Sequence, residues 1–173
     1  MNRTSRILML LALLLAPSLA LGTEKTNIIL IMADDIGYEC YGAYGGTSYK
    51  TPVLDKMAKQ GMLFNHAYSN PVCTPTRVKI MTGLSNVRNY ASFSTLKKTE
   101  KTIGHMMQDA GYKTAIAGKW QLYGAEHYED AIREKGSLPK NMGFGRPCLW
   151  TVYKMGSRCW APNNTSDGQV TPV

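Results

Sequence analysis

The sequence is poor in the residues that usually announce a zinc or nucleic-acid protein. It has three histidines and four cysteines in 173 residues. There is no C-x-x-C pair and no close pair of histidines, which excludes the usual zinc-site spacings. No run of lysine and arginine is interleaved with aromatic residues, so nucleic-acid binding has no support despite a net charge of +8. Arg3 and Arg6 carry two of those charges, and the remaining +6 describes a basic surface with a general preference for anions. No internal repeat is present. Beyond the N-terminal segment no apolar stretch approaches the ~20 residues that a bilayer span needs, so no stable membrane span is expected. Charged residues make up only 18% and hydrophobic ones 44%. That balance excludes an intrinsically disordered chain and allows one domain with a real core.

The N-terminus carries a targeting pattern. Residues 1–6 are short and positively charged, residues 7–15 are an unbroken apolar run closed by Pro17, and Ser18, Ala20 and Gly22 are small. This is the three-part pattern of a secretory signal peptide over residues 1–22. The mature chain, residues 23–173, is then exported to a periplasmic, secreted or lumenal compartment where disulfides can form. Cys148 and Cys159 lie close in sequence and are the expected pair, leaving Cys40 and Cys73. Asn163-Asn164-Thr165 and Asn164-Thr165-Ser166 have the form of N-glycosylation acceptors.

The mature region alternates apolar runs with helical patterns. Residues 27–32 form a continuous apolar, partly β-branched run, which predicts a strand buried on both faces of a parallel sheet. A Gly- and Tyr-rich loop follows. Thr51-Pro52 opens a predicted helix that stops near Gly61. Residues 62–68 read as a short strand and 75–81 as a helix beginning just after Cys73. Thr102 caps a helix whose apolar positions are Ile103, Met106, Met107 and Ala110. Residues 112–117 read as a strand leading into Gly118-Lys119. After Gly124 the pattern fades, and residues 141–173 show no clear period. Strands alternating with helices in this way predict an α/β fold with a mainly parallel sheet.

Three places carry candidate chemistry. Asp34 and Asp35 follow the first predicted strand, at the edge where open parallel sheets bind ligands. Two adjacent carboxylates suit a hard divalent cation, although a solvated acidic turn has the same sequence. Cys73 stands at a predicted helix N-terminus, with Arg77 one turn on. A helix N-terminus and a guanidinium together make a place for a tetrahedral anion, while a buried structural cysteine beside a surface arginine is the plainer reading. Lys119 would bring a second cation to the same sheet edge.

Together these residues resemble the sulfatase family. Residues 71–83, Pro-Val-Cys-Thr-Pro-Thr-Arg-Val-Lys-Ile-Met-Thr-Gly, match its first signature throughout. Residues 111–120 match most of its second, and residues 27–46 look like its first strand and metal loop. The resemblance implies an alkaline-phosphatase-like sandwich with a mainly parallel central sheet, of which residues 23–173 form the N-terminal portion. It implies that a maturation enzyme oxidises Cys73 to formylglycine (3-oxoalanine). One hydroxyl of the hydrated aldehyde attacks the sulfur of a sulfate ester, and the other drives release of sulfate. The metal, Ca²⁺ or another divalent cation, falls to Asp34, Asp35 and the modified Cys73. Arg77 and Lys119 join Cys73 in catalysis, and Lys119, Gln121 and Arg88 bind substrate, a sulfated small molecule or a sulfated glycan.

Two departures from the family pattern stand out. Many members carry His where this chain has Gln121, and an amide donates a hydrogen bond but carries no charge. The remaining metal ligands of longer members come from later segments, so an isolated 173-residue chain is expected to have an incomplete metal site and exposed sheet surface. His66, His105 and His127 match no catalytic position. Two other readings stay open: a formylglycine-dependent phosphodiester or phosphonate hydrolase, and a non-catalytic anion- or glycan-binding remnant of the scaffold.

Overall fold

The computed structural model describes residues 24–124 and 136–150, and the backbone of 163–166 and 169–172. The signal-peptide reading therefore lies outside the described residues. No helix among the described residues is long and apolar enough to cross a membrane. The chain divides into two compact units, residues 1–33 and 34–173.

In the first unit the run 27–32 is not a strand, and Ile29 is 84% exposed. This corrects the sequence expectation. Apolar, β-branched composition makes a strand only where a ladder satisfies its backbone groups, and composition cannot supply the ladder.

The second unit opens with two 3₁₀ turns, Tyr38–Cys40 and Gly42–Tyr44, inside the Gly/Tyr loop. Helix α1, Pro52–Gln60, begins where Thr51-Pro52 predicts. Thr51 does not cap it through its side chain. Its hydroxyl accepts the Gly42 N–H at 2.9 Å and donates to Asp55 at 2.9 Å, and Asp55 also accepts the Ala43 N–H at 2.8 Å. Thr51 and Asp55 thus tie the loop to α1, while Val53 and Met57 on the same helix stay exposed. Residues 62–68 form no strand, a second correction, although the Tyr44 hydroxyl holds the Phe64 carbonyl at 2.8 Å.

Helix α2, Cys73–Thr82, ends at Gly83, whose φ of 68° suits glycine in a left-handed C-cap. A single turn, α3, covers Asn86–Asn89. Helix α4, Ile103–Asp109, is capped by Thr102 as expected, through a capping box in which His105 fills the place usual for Glu or Gln. Its tightest contact is made by Gly104, on which a Cβ would collide with the backbone of Met142 and Gly143. Met106, predicted to face the core, is 57% exposed.

Strand β1, Ala115–Lys119, pairs in parallel with β2, Arg146–Trp150, placing Lys119 opposite Trp150. Strands β3, Asn163–Ser166, and β4, Gln169–Pro172, continue the sheet with antiparallel pairings in the order β1-β2-β3-β4. The fold is α/β as expected. The described sheet is mixed, with one parallel and two antiparallel pairings, because β3 and β4 are polar segments that no hydrophobic period betrays. Cys148 in β2 is exposed, and its expected partner Cys159 lies outside the described residues.

The core gathers Val78 and Met81 of α2 with Leu96, Trp120, Leu122, Met142, Phe144 and Leu149. Each such side chain contributes roughly 1.5–3 kcal/mol of burial. The core therefore packs one face of α2 against the segment that follows β1, the two pieces of chain that carry the candidate chemistry.

Candidate active site

Val72 precedes α2 with φ 59° and ψ 164°, a backbone that costs a β-branched residue on the order of 1–3 kcal/mol. This sharp entry sets Cys73 as the first residue of α2. No side chain caps the helix there, and an uncapped helix N-terminus favours an anion. Cys73 is half-buried, and its thiol donates to Gln121 Oε1 at 3.1 Å. Gln121 is buried and itself has φ 50°.

One turn into α2, Arg77 is buried and its Nη1 donates to the Lys119 carbonyl at 2.6 Å. The bond joins α2 to the end of β1. Burial pushes the Arg77 guanidinium below its ordinary pKa, and the negative charge of Asp34 and the neighbouring Cys73 push the other way. Its Nε is buried with no hydrogen-bond partner among the described residues. The Lys119 ammonium, with 3% of its side chain exposed, pairs with Asp34 Oδ2 at 2.8 Å. Asp34, Arg77, Lys119, Cys73 and Gln121 are thus linked by contact or charge, as the sequence grouped them.

Of the two other predicted residues, Arg88 stands apart from this linkage. Asp35 is exposed, with φ 56°. Arg88 is exposed on α3, and no hydrogen bond or ion pair joins it to the cluster. An open cavity of about 640 Å³ beside α2 is lined by Tyr68, Thr76, Lys79 and Ile80 among others, and contains none of the cluster residues.

The donor chemistry of Asp34 and Asp35, all carboxylate oxygen, fits a hard divalent cation. It is a partial set. Among the described residues no group of three or more His, Cys, Asp and Glu side chains gathers in a metal-binding arrangement.

Sequence reasoning missed Thr74 and Ser94. Thr74 is fully buried, and its Oγ1 accepts the Ser94 N–H at 2.9 Å. Ser94 is fully buried, has φ 60°, and its hydroxyl has no partner among the described residues. Nothing in the local pattern around Ser94 marks it, since a serine in a polar loop is the commonest of contexts.

The sulfatase family model matches residues 26–171. The chain belongs to the sulfatase family. Among its relatives, human (Homo sapiens) steryl-sulfatase is 38% identical over 113 residues, covering 57% of this chain and 19% of that protein. Bovine (Bos taurus) arylsulfatase A is 38% identical over 147 residues, covering 79% of this chain and 27% of the relative. This sulfatase sequence therefore spans about a fifth to a quarter of the length of the curated relatives it matches. A solved structure described in complex with its substrate D-glucosamine-2-N,6-O-disulfate superposes with a TM-score of 0.70 at 26% identity, covering 87% of this chain and 28% of that one. A second, from work on glycosaminoglycan metabolism by Bacteroides thetaiotaomicron, gives a TM-score of 0.69 at 28% identity over 86% of this chain and 32% of that one. The α/β fold is accordingly the alkaline-phosphatase-like fold of sulfatases.

Proposed function

We propose that residues 23–173 form the nucleophile-bearing N-terminal part of an exported hydrolase of sulfate esters, arylsulfatase-like in its chemistry, with Cys73 converted to formylglycine by a maturation enzyme. The observation that carries this reading is the linkage of Cys73, Arg77, Lys119 and Asp34 around an uncapped helix N-terminus. Formylglycine at position 73 supplies an oxygen nucleophile where the gene encodes a thiol. Asp34, Asp35 and residue 73 would hold a divalent cation, which would neutralise charge on the sulfate.

The chain's own residues supply the rest. The α2 N–H groups and the buried Arg77 charge would favour a tetrahedral anion beside residue 73. Arg77 holds the end of β1 through the Lys119 carbonyl, which fixes where the Lys119 ammonium starts. That ammonium, paired with Asp34 in this structure, would be the donor that steadies sulfate oxygens or the departing alkoxide. Gln121 lies beside residue 73 and offers an uncharged amide where many family members use an imidazole, so proton transfer to the leaving group falls to another residue. Arg88 is kept as a secondary substrate contact that would meet the outer part of a sulfated small molecule or sulfated glycan.

The test is the mass of the Cys73 peptide from chain co-expressed with a formylglycine-generating enzyme. It is paired with hydrolysis of an aryl sulfate by the full-length protein that contains this segment. Conversion of Cys73 together with a sulfatase rate abolished in Cys73→Ala is expected. A thiol that persists under those conditions defeats the proposed mechanism.

A further inference from the structure

The contact between Cys73 and Gln121 is set by a third piece of chain. Residues 92–96 lie between the residue after Cys73 and the residue after Gln121. On one side the Ser94 N–H donates to Thr74 Oγ1 at 2.9 Å. On the other, the Leu96 N–H donates to the Leu122 carbonyl at 3.0 Å, and Thr95 forms a β-bridge with Tyr123. The far end is locked by Ser137, whose hydroxyl donates to the Leu96 carbonyl at 2.8 Å. Thr74, Ser94, Thr95 and Leu96 are all at most 1% exposed.

Strain is concentrated on the same contact. Four described non-glycine residues have positive φ, and three of them, Val72, Ser94 and Gln121, stand at or beside the two ends of this strap. The left-handed backbone of Ser94 aims its N–H at Thr74. A serine held there with a buried, unpartnered hydroxyl costs stability on two counts, so the surrounding contacts over-determine it. Such cost without local benefit is the pattern of a positioning device.

We infer that the Thr74–Ser94 hydrogen bond is a positioning clasp that fixes the spacing between residue 73 and Gln121. Thr74 and Ser94 act through their neighbours and touch no substrate. The catalytic consequence rests on the reading of residue 73 as the reacting residue. The geometry of the clasp does not, and its test is chosen to be independent of maturation.

The experiment measures alkylation of Cys73 by iodoacetamide in the folded, unmodified full chain, read peptide by peptide in a mass spectrometer, with Cys40 as internal control. Thr74→Val removes the acceptor and keeps the shape. Loss of one buried hydrogen bond of this kind is expected to free the thiol from Gln121 and raise the Cys73 rate about tenfold, with the Cys40 rate unchanged. Thr74→Ser, which keeps a hydroxyl, is expected to restore the wild-type rate. Gln121→Leu is expected to raise the Cys73 rate similarly, and the double variant to add little more. Ser94→Gly keeps the N–H and the backbone conformation and is expected to leave Cys73 as in wild type. Equal acceleration of Cys73 and Cys40 would show general loosening and overturn the inference, as would an unchanged Cys73 rate in Thr74→Val. If Thr74→Val does not fold, Thr74→Ala, which also removes the acceptor, decides instead: a Cys73 rate raised to that of Gln121→Leu with Cys40 unchanged supports the clasp, and an unchanged Cys73 rate overturns it. Failure of Cys73 to become formylglycine leaves every one of these outcomes readable.

Discussion

Arg77 shows how a motif residue acquires its role from burial. Its side chain sits in the core flank of α2, holds a backbone carbonyl of the next strand, and faces Asp34. Lysine lacks the planar fork that reaches that carbonyl and would leave the carbonyl unpaired. Arg77→Lys should therefore cost about 2 kcal/mol, seen as a lower urea midpoint with an unchanged slope. Its pKa is lowered, chiefly by desolvation, so the charged form opposes folding at every pH below the folded-state pKa. That penalty is relieved, and stability from this group rises, as pH climbs towards the guanidinium range. The sequence announces Cys73, Arg77 and Lys119 because their types and spacing are chemically unusual. It hides Ser94, whose importance lies in a backbone angle, and it places Arg88 by family position alone, which the contacts do not reinforce.

At the scale of elements, helices were more legible than strands. α1 and α4 begin where Thr51-Pro52 and Thr102 predict, because an N1 proline and a side-chain cap act locally, whereas α2 begins at Cys73, two residues ahead of the predicted 75–81. β1 is legible because Gly111 ends the preceding helix and an apolar run follows it, although the strand continues through Gly118 to Lys119. Residues 27–32 and 62–68 carry strand-like composition without forming strands, and β2 to β4 carry no local signal, since a strand is defined by partners that a local pattern does not contain. The buried side of α4 was likewise assigned to its large apolar residues. In the structure Gly104 makes the closest approach, letting the helix backbone meet Met142 and Gly143. Gly104→Ala should then destabilise the chain by about 1–3 kcal/mol despite its better helix propensity, and thermal unfolding would register it as a lower midpoint. An unchanged or higher midpoint would mean that the 139–143 segment yields easily.

For the molecule as a whole, exposed apolar side chains are the dominant surface feature. Val53, Met57, Met62, Phe64 and Tyr68 are each more than half exposed, and Val87 is 96% exposed. A net charge of +8 opposes association, but exposed apolar side chains in this number favour it. The 173-residue chain by itself should self-associate with rising concentration, more strongly in high salt where charge repulsion is screened. Light scattering across a dilution series checks this, and a mass that stays monomeric at all salt concentrations contradicts it.

Trp120 sits between Lys119 and Gln121 with no exposed surface, its indole N–H bonded to the Ser137 carbonyl at 2.7 Å and its ring edge-on to Phe144 at 6.3 Å. Such an indole emits at short wavelength while it is dry and shifts to the red once solvent reaches it. The molecule therefore carries its own optical gauge, one residue from the ammonium on one side and from the Cys73 contact on the other. With Trp150 and Trp160 replaced by phenylalanine, slippage of the β1 end is readable as a red shift of the remaining emission before any substrate is known.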